Sequence, residues 1–138
     1  LARPGDIRRG FAAHGYLADE RGMLLIVTKS GEVAGDVSYR HVNHGPGPSN
    51  RTYEIGITVA PGWRGRGFGA EAQRLLAAYL FAVYTIERVQ ATTDIRNLGE
   101  QRALERAGFT REGVLRRAQF RAGVWHDMVM YSKLRGEA

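Results

Sequence analysis

Cysteine is absent from this chain of 138 residues, which excludes disulfide staples, thiolate nucleophiles and Cys-ligated zinc and suits a reducing compartment. Lysine is nearly absent as well, since Lys29 and Lys133 are the only lysines among twenty basic residues. No apolar run approaches the roughly 18 residues that a membrane span needs, so no membrane association is expected. The first residues, Leu1 to Phe11, carry Arg3, Asp6, Arg8 and Arg9 where a signal peptide would be apolar, and a cytoplasmic location is the expectation. The chain opens on Leu1 instead of Met and reads as a fragment or a processed form.

What is present describes a folded protein. Hydrophobic residues make up 43% and charged residues 25%, the balance of one globular domain spanning residues 1–138. The charge is 20 − 14 = +6, so an anionic partner is plausible: a phosphorylated cofactor, nucleic acid or an acidic surface. Arginine is the side chain suited to bidentate phosphate recognition. Charge alone does not choose among the three, but nucleic-acid binding is the least favoured function, because few aromatics cluster with the arginines.

Along the chain, Pro4 to Glu20 reads as a helix with Ile7, Phe11 and Leu17 on one side. Met23 to Lys29 and Glu32 to Arg40 form a predicted hairpin around Ser30-Gly31. His41 to Arg51 is rich in glycine and proline and reads as a surface loop, either lining a binding site or only connecting strands. Thr52 to Val59 alternates Tyr53, Ile55, Ile57 and Val59 with Glu54, Gly56 and Thr58, a strand pattern ended by Ala60-Pro61-Gly62. Between Gly67 and Tyr84 the apolar residues step with helical periodicity. A strand from Arg88 to Thr93 precedes a helix from Asn97 to Ala107, with Asn97 and Glu100 spaced as a capping box and Gly108 as its stop. Thr110 to Phe120 and Val124 to Leu134 make a last hairpin about the loop Arg121-Ala122-Gly123. The implied architecture is a mixed sheet covered by helices.

The join of strand, tight turn and helix from Thr52 to Leu80 carries the main chemical signal. Arg64-Gly65-Arg66-Gly67-Phe68-Gly69 opens the long helix, and a helix start with glycines exposes N–H groups to an anion at close range. The Gly-Lys-[Ser/Thr] of a P-loop is missing, and the glycine spacing is not that of a dinucleotide fold. By themselves the glycines could equally serve only the turn, with Arg64 and Arg66 solvated. His14, His41, His44 and His126 lack metal-ligand spacing, so no metal is expected. His126 alternates away from Asp127 on its strand, which argues against a local His–Asp dyad.

Arg64-x-x-Gly67-x-Gly69 after a strand ending at Pro61 resembles the coenzyme A pyrophosphate loop of the GNAT N-acetyltransferase superfamily. Asn97 to Phe109 resembles the second motif of that superfamily. The final hairpin, with Glu112-Gly113-Val114-Leu115-Arg116 and Trp125-His126-Asp127 leading to Tyr131, resembles the branch of the ribosomal-protein N-terminal acetyltransferases. The resemblance implies the α/β GNAT fold, a mixed and mostly antiparallel sheet flanked by helices, truncated here by the usual first strand and helix. An edge left open by that truncation would invite pairing, so a homo-oligomer is expected.

The resemblance also implies acetyl-CoA as co-substrate and a primary amine, of a small molecule or a protein N-terminus, as acceptor. A non-catalytic acyl-CoA-binding module is the alternative. Ile57, Thr58 and Val59 would hold the pantetheine arm by their backbone, and Arg64, Gly65, Arg66, Gly67, Phe68 and Gly69 the pyrophosphate. Gly56 would fit either a bulge exposing that backbone or the space under a neighbouring side chain. Asn97 would bind the arm or serve only as a cap; Arg102 and Arg106, four apart on one helix, would reach the phosphates, with a solvated face paired to Glu105 or Glu100 the favoured reading for Arg106. Glu54 is the candidate general base, weighed equally against an ordinary strand carboxylate paired to an arginine. Tyr131 is the candidate proton donor, weighed against a packing tyrosine. The tyrosine that many relatives carry where Leu104 stands is missing, and a serine is common where Glu100 stands.

Overall fold

A computed structural model describes residues 17–137. The elements are β1 (Arg21–Val27), β2 (Val33–Asn43), β3 (Arg51–Val59), α1 (Phe68–Val83), β4 (Arg88–Asp94), α2 (Leu98–Arg106), β5 (Thr110–Arg121) and β6 (Val124–Leu134). They form one six-stranded sheet in the order β1-β2-β3-β4-β6-β5. Every neighbouring pair is antiparallel except β3 and β4, which run parallel because α1 crosses over between them.

Alternation along the strands sorts the sheet into two unlike faces. Tyr39, Tyr53, Ile55, Val89, Ala91, Val129 and Tyr131 point to one side and are buried with Ala72, Leu76 and Leu80 of α1 and Leu104 of α2. Both helices therefore cover the same face. Leu76, Leu80 and Leu104 are fully buried, each worth about 1.5–3 kcal/mol in removed apolar surface. The other face presents Glu54 on β3 and Gln90, Thr92 and Asp94 on β4, in register with β6 residues Ser132, Met130 and Met128.

Several sequence expectations shift. The helix expected from Pro4 lies outside the described residues as far as position 16, and Leu17 to Glu20 are not helical. Tyr39 and Tyr53 donate their hydroxyls to the carbonyls of Ala18 and Asp19, at 2.8 and 2.6 Å, and Leu17 bridges Gly22. Those bonds tie the segment to the sheet. β1 starts and ends two residues earlier than expected, because Thr28 to Glu32 close the turn: the Thr28 N–H donates to the Glu32 carbonyl and the Gly31 N–H to that of Thr28. β2 continues through His41 to Asn43, which pairs with Arg51, so the hairpin is longer than the glycine-rich composition predicts. At the last hairpin Arg121 pairs with Val124, leaving the two-residue loop Ala122-Gly123 with φ of 54° and 79°. Both positive values mark a type I′ turn in place of the expected three-residue loop.

α2 is punctuated nearly as its sequence predicts. Asn97 Oδ1 accepts the Glu100 N–H at 3.1 Å. At the other end Gly108 has φ 92°, and the Gly108 and Phe109 N–H groups return to the carbonyls of Glu105 and Leu104, the Schellman pattern. The reciprocal half of the capping box is not made. Glu100 turns its carboxyl to Gln73 of α1 instead.

Candidate functional site

β3 and β4 are paired only at Tyr53 with Val89 and at Glu54 with Gln90. Beyond that rung they separate, and the backbone from Ile55 to Val59 has β2 on one side and, among the described residues, no strand on the other. The register of β3 on β2 is unbroken through Gly56, so the bulge considered there does not exist. The backbone is bared by the divergence of β4. A cleft of about 770 Å³ opens in the gap, walled by β3, the turn after it, the start of α1, the end of β4 and α2.

The turn supplies the head of this cleft. Arg64 Nε donates to the Val59 carbonyl at 3.0 Å, which fixes the turn on the strand end and leaves the guanidinium's outer N–H groups for a ligand. Gly65 and Gly67 have φ of 74° and 87°, a left-handed geometry that side chains resist. Gly67 caps α1 without any side-chain hydrogen bond. The first intrahelical bond is that of the Glu71 N–H to the Gly67 carbonyl, so the N–H groups before it face outward at the positive end of the helix. Gly69 lies where β3, α1 and α2 converge, facing Ile57, Val59 and Ala103.

Of the residues singled out in the sequence, Ile57, Thr58, Val59, Arg64, Gly65, Gly67, Gly69, Asn97 and Arg102 all line this cleft. Four do not. Phe68 is buried in the core with its ring edge-on to Trp63 at 5.6 Å, so only its backbone belongs to the helix start. The Arg66 guanidinium stacks over the Trp63 ring at 4.8 Å. Glu54 lies on the opposite face, beside Gln90. Tyr131 is fully buried and donates to Glu105 at 2.9 Å; burial first, and that carboxylate second, push its phenol up to about 12. A group so placed packs the core and is not among the residues that line the cleft.

The structure adds residues beyond those expected at the site. Trp63, Thr92, Thr93 and Arg106 line the cleft, and Arg106, expected to be solvated, joins Arg64 and Arg102 there. Glu100 is the only acidic residue in the lining among the described residues. Its side-chain carboxyl accepts from Gln73 at 3.3 Å, and burial pushes it up to about 7. Gln73 is itself fully buried and leaves its own Oε1 unpartnered among the described residues. The signal for Glu100 is visible in the sequence only as a cap, because the spacing of a capping box does not say where the carboxylate goes.

A raised carboxyl binds its proton more tightly folded than unfolded, so stability falls as pH rises from the usual 4.5 to the folded value near 7. The full displacement corresponds to about 3 kcal/mol as an upper bound. Glu100→Gln is therefore expected to gain up to that amount on the wild type between pH 5 and pH 8, read from denaturant midpoints. Parallel pH profiles would show that Glu100 does not titrate in this window.

On the far face Glu54 is held at both oxygens. Arg40 Nη2 donates to Oε2 at 2.9 Å and Gln90 Nε2 to Oε1 at 2.8 Å. His44, from the loop after β2, reaches Gln90 Oε1 at 2.7 Å, and Arg88 Nε donates to the same oxygen at 3.0 Å. Arg88 also grips Glu112 with both terminal nitrogens, which holds that carboxyl down at about 2. The segment between β2 and β3 thus contributes, through His44, to the surroundings of Glu54. Each Glu54 oxygen keeps a second lone pair, so the carboxylate remains able to accept from a ligand or a water.

Residues 2–110 match the family described as the Acetyltransferase (GNAT) domain. The chain belongs to the GNAT acetyltransferase family. It is 31% identical over 120 residues to the putative ribosomal N-acetyltransferase YdaF of Bacillus subtilis, covering 87% of this chain and 63% of that one. It is also 39% identical over 77 residues to the probable N-acetyltransferase YjcK of the same organism, covering 56% of this chain and 42% of that protein. Among solved structures, Mycobacterium smegmatis RimJ in complex with CoA-disulfide superposes with a TM-score of 0.73 at 26% identity, over 92% of this chain and 57% of RimJ. Within the family the chain falls in the branch resembling ribosomal-protein acetyltransferases. It spans between about two fifths and just under two thirds of the length of these relatives.

Among the described residues no cluster of three metal-ligating side chains occurs, and no helix is long and apolar enough to cross a membrane.

Proposed function

We propose that this protein transfers an acetyl group from acetyl-CoA to a primary amine of a small molecule or a protein N-terminus. The observation that carries the reading is the separation of β3 from β4. It opens a passage between a cleft walled by a glycine turn and a helix start and the face that bears Glu54. The residues fit the cofactor. The turn at Gly65 and Gly67 bares the backbone at the start of α1, where pyrophosphate oxygens would sit. Arg64, Arg102 and Arg106 bring positive charge to the same cleft. Ile57, Thr58 and Val59 offer an unpaired strand edge to the amides of the pantetheine arm, with Asn97 opposite.

Bound acetyl-CoA supplies an acyl group activated as a thioester. The chain's own part is to present the amine in its neutral form, and Glu54 takes up the amine proton directly or through a water. Arg40 and Gln90 hold its carboxylate in place for that task. An amine acceptor on a protein agrees with the putative ribosomal N-acetyltransferase among the relatives.

The test is thiol release from acetyl-CoA across a panel of free amino acids, polyamines and short peptides with free N-termini. Release that depends on the amine is expected. Acetyl-CoA binding with no release for any amine would make the protein an acyl-CoA-binding module and overturn the reading.

A further inference from the structure

A second cavity of about 530 Å³ adjoins the cofactor cleft, and the two share Thr92, Thr93 and Asn97 in their walls. Its remaining lining includes Asp94, Arg96, Gln119, Arg121, His126 and Met128. Gln90, Thr92 and Asp94 alternate on one side of β4, and Gln90 is bonded to Glu54, so this cavity lies on the Glu54 side of the sheet. Two residues of strand advance about 6.6 Å. A ligand of a few bonds' length therefore spans from the level of Thr92 to that of Asp94, and since Glu54 is level with Gln90, a water relays the proton of an amine held near Thr92 to Glu54.

The cavity is positively charged and its one acid among the described residues is already committed. Asp94 Oδ1 accepts the Arg96 N–H at 2.8 Å, and Oδ2 accepts from Arg121 Nη2 and from His126 Nδ1, the latter at 2.7 Å. That backbone bond, followed by His126 and Arg121, holds the Asp94 carboxyl below its ordinary range. Arg96 and Arg121 against Asp94 leave one positive charge before His126 is counted. In its doubly protonated form His126 donates at both ends, since Nε2 faces the Arg121 carbonyl at 3.2 Å. Arg121 is half exposed; of its five N–H groups, one goes to Gln119 and one to Asp94, which leaves three for a ligand. The Arg96 side chain makes no hydrogen bond or ion pair among the described residues.

We propose that Arg96 and Arg121, the latter beside His126, hold an anionic group of the acceptor, so that the amines acetylated are those whose carrier also bears a carboxylate. This rests on the acetyl-transfer reading. A carboxylate accepts the free guanidinium donors as a fork, with charge assistance. Within this cavity a polyamine would meet only Asp94, whose oxygens are already engaged by three donors. The carboxylate belongs either to a free amino acid or to an acidic side chain next to a peptide's N-terminus; the two share one chemistry.

Two measurements test this independently. In calorimetry with the full chain and CoA, N-acetyl-β-alanine is expected to bind about tenfold or more tightly than its amide, a difference of the size given by charge-assisted bonds. Arg121→Gln and Arg96→Gln should each shrink that preference, while Lys29→Gln, an equal charge change on the β1–β2 turn, should not. In turnover, KM is compared for β-alanine against β-alaninamide and for amidated Ser-Asp against Ser-Asn. A preference confined to the peptide pair assigns the carboxylate to a protein N-terminus, and one confined to the free acid assigns it to a small molecule. Equal binding of the N-acetyl acid and its amide, or a preference untouched in both arginine variants, overturns the proposal. Absence of turnover with every amine strikes at the acetyl-transfer reading alone, since the binding measurement still decides the subsite.

Discussion

Gly67→Val is expected to lower acetyl-CoA affinity by about 100-fold or more, on the order of 3 kcal/mol. Gly67 sits at φ 87° as the cap of α1, where a β-branched side chain is an outlier costing about 1–3 kcal/mol of strain. Relief of that strain would rotate the helix start and withdraw the N–H groups aimed at the pyrophosphate. The new side chain would also stand between backbone and anion. Calorimetry with CoA measures the loss, and thermal unfolding with near-UV circular dichroism checks that the fold survives. Gly67→Ala serves if the valine variant does not fold, since alanine keeps the wrong φ preference with less bulk. Undiminished affinity in a folded variant would place the pyrophosphate elsewhere.

Glu54→Gln is expected to slow acetyl transfer by roughly 100-fold or more near neutrality with CoA affinity retained. A lysine-like amine of pKa about 10.4 is almost wholly protonated at pH 7, whereas an α-amine near 8 is protonated in large part but less completely. The dependence on Glu54 should therefore be greater for the first kind of acceptor. It should shrink as pH rises and the free amine loses its proton unaided. Arg40 is well exposed and its pairing with Glu54 is an ion pair at the surface, worth little for stability, so the variant should fold. A rate profile superposable on the wild type at every pH would reduce Glu54 to a strand carboxylate in a polar network.

Most local elements are legible in the order of residues. Asn97 and Gly108 announce both ends of α2, because a cap is a matter of a few neighbouring residues. The glycines at 65, 67 and 69 mark the turn into α1 for the same reason. Periodicity likewise identifies β3 and α1, since burial repeats with the geometry of the element. The displaced boundaries share one cause. At Leu17 to Glu20, at His41 to Asn43 and around Thr28, hydrogen bonds to residues distant in the chain or to a closing turn override local preference.

Residue order alone is enough to establish the succession of elements, the glycine-lined start of α1 and the family to which those motifs belong. Packing sets the rest of the site. Only the divergence of β4 from β3 bares the strand edge at Ile57 and Val59. Only the placement of α2 against α1 buries Glu100 beside Gln73 and raises its carboxyl. Tyr131 and Glu54 both stand on alternating strands, yet one is sealed under α2 by Glu105 and the other faces the open side between Arg40 and Gln90. His126 finds its carboxylate 32 residues away in Asp94 and not next door in Asp127. Spacing encodes which way a side chain points from its own element. What it meets there depends on the register of strands that are neighbours in space and strangers in sequence, and that is set only when the whole sheet forms.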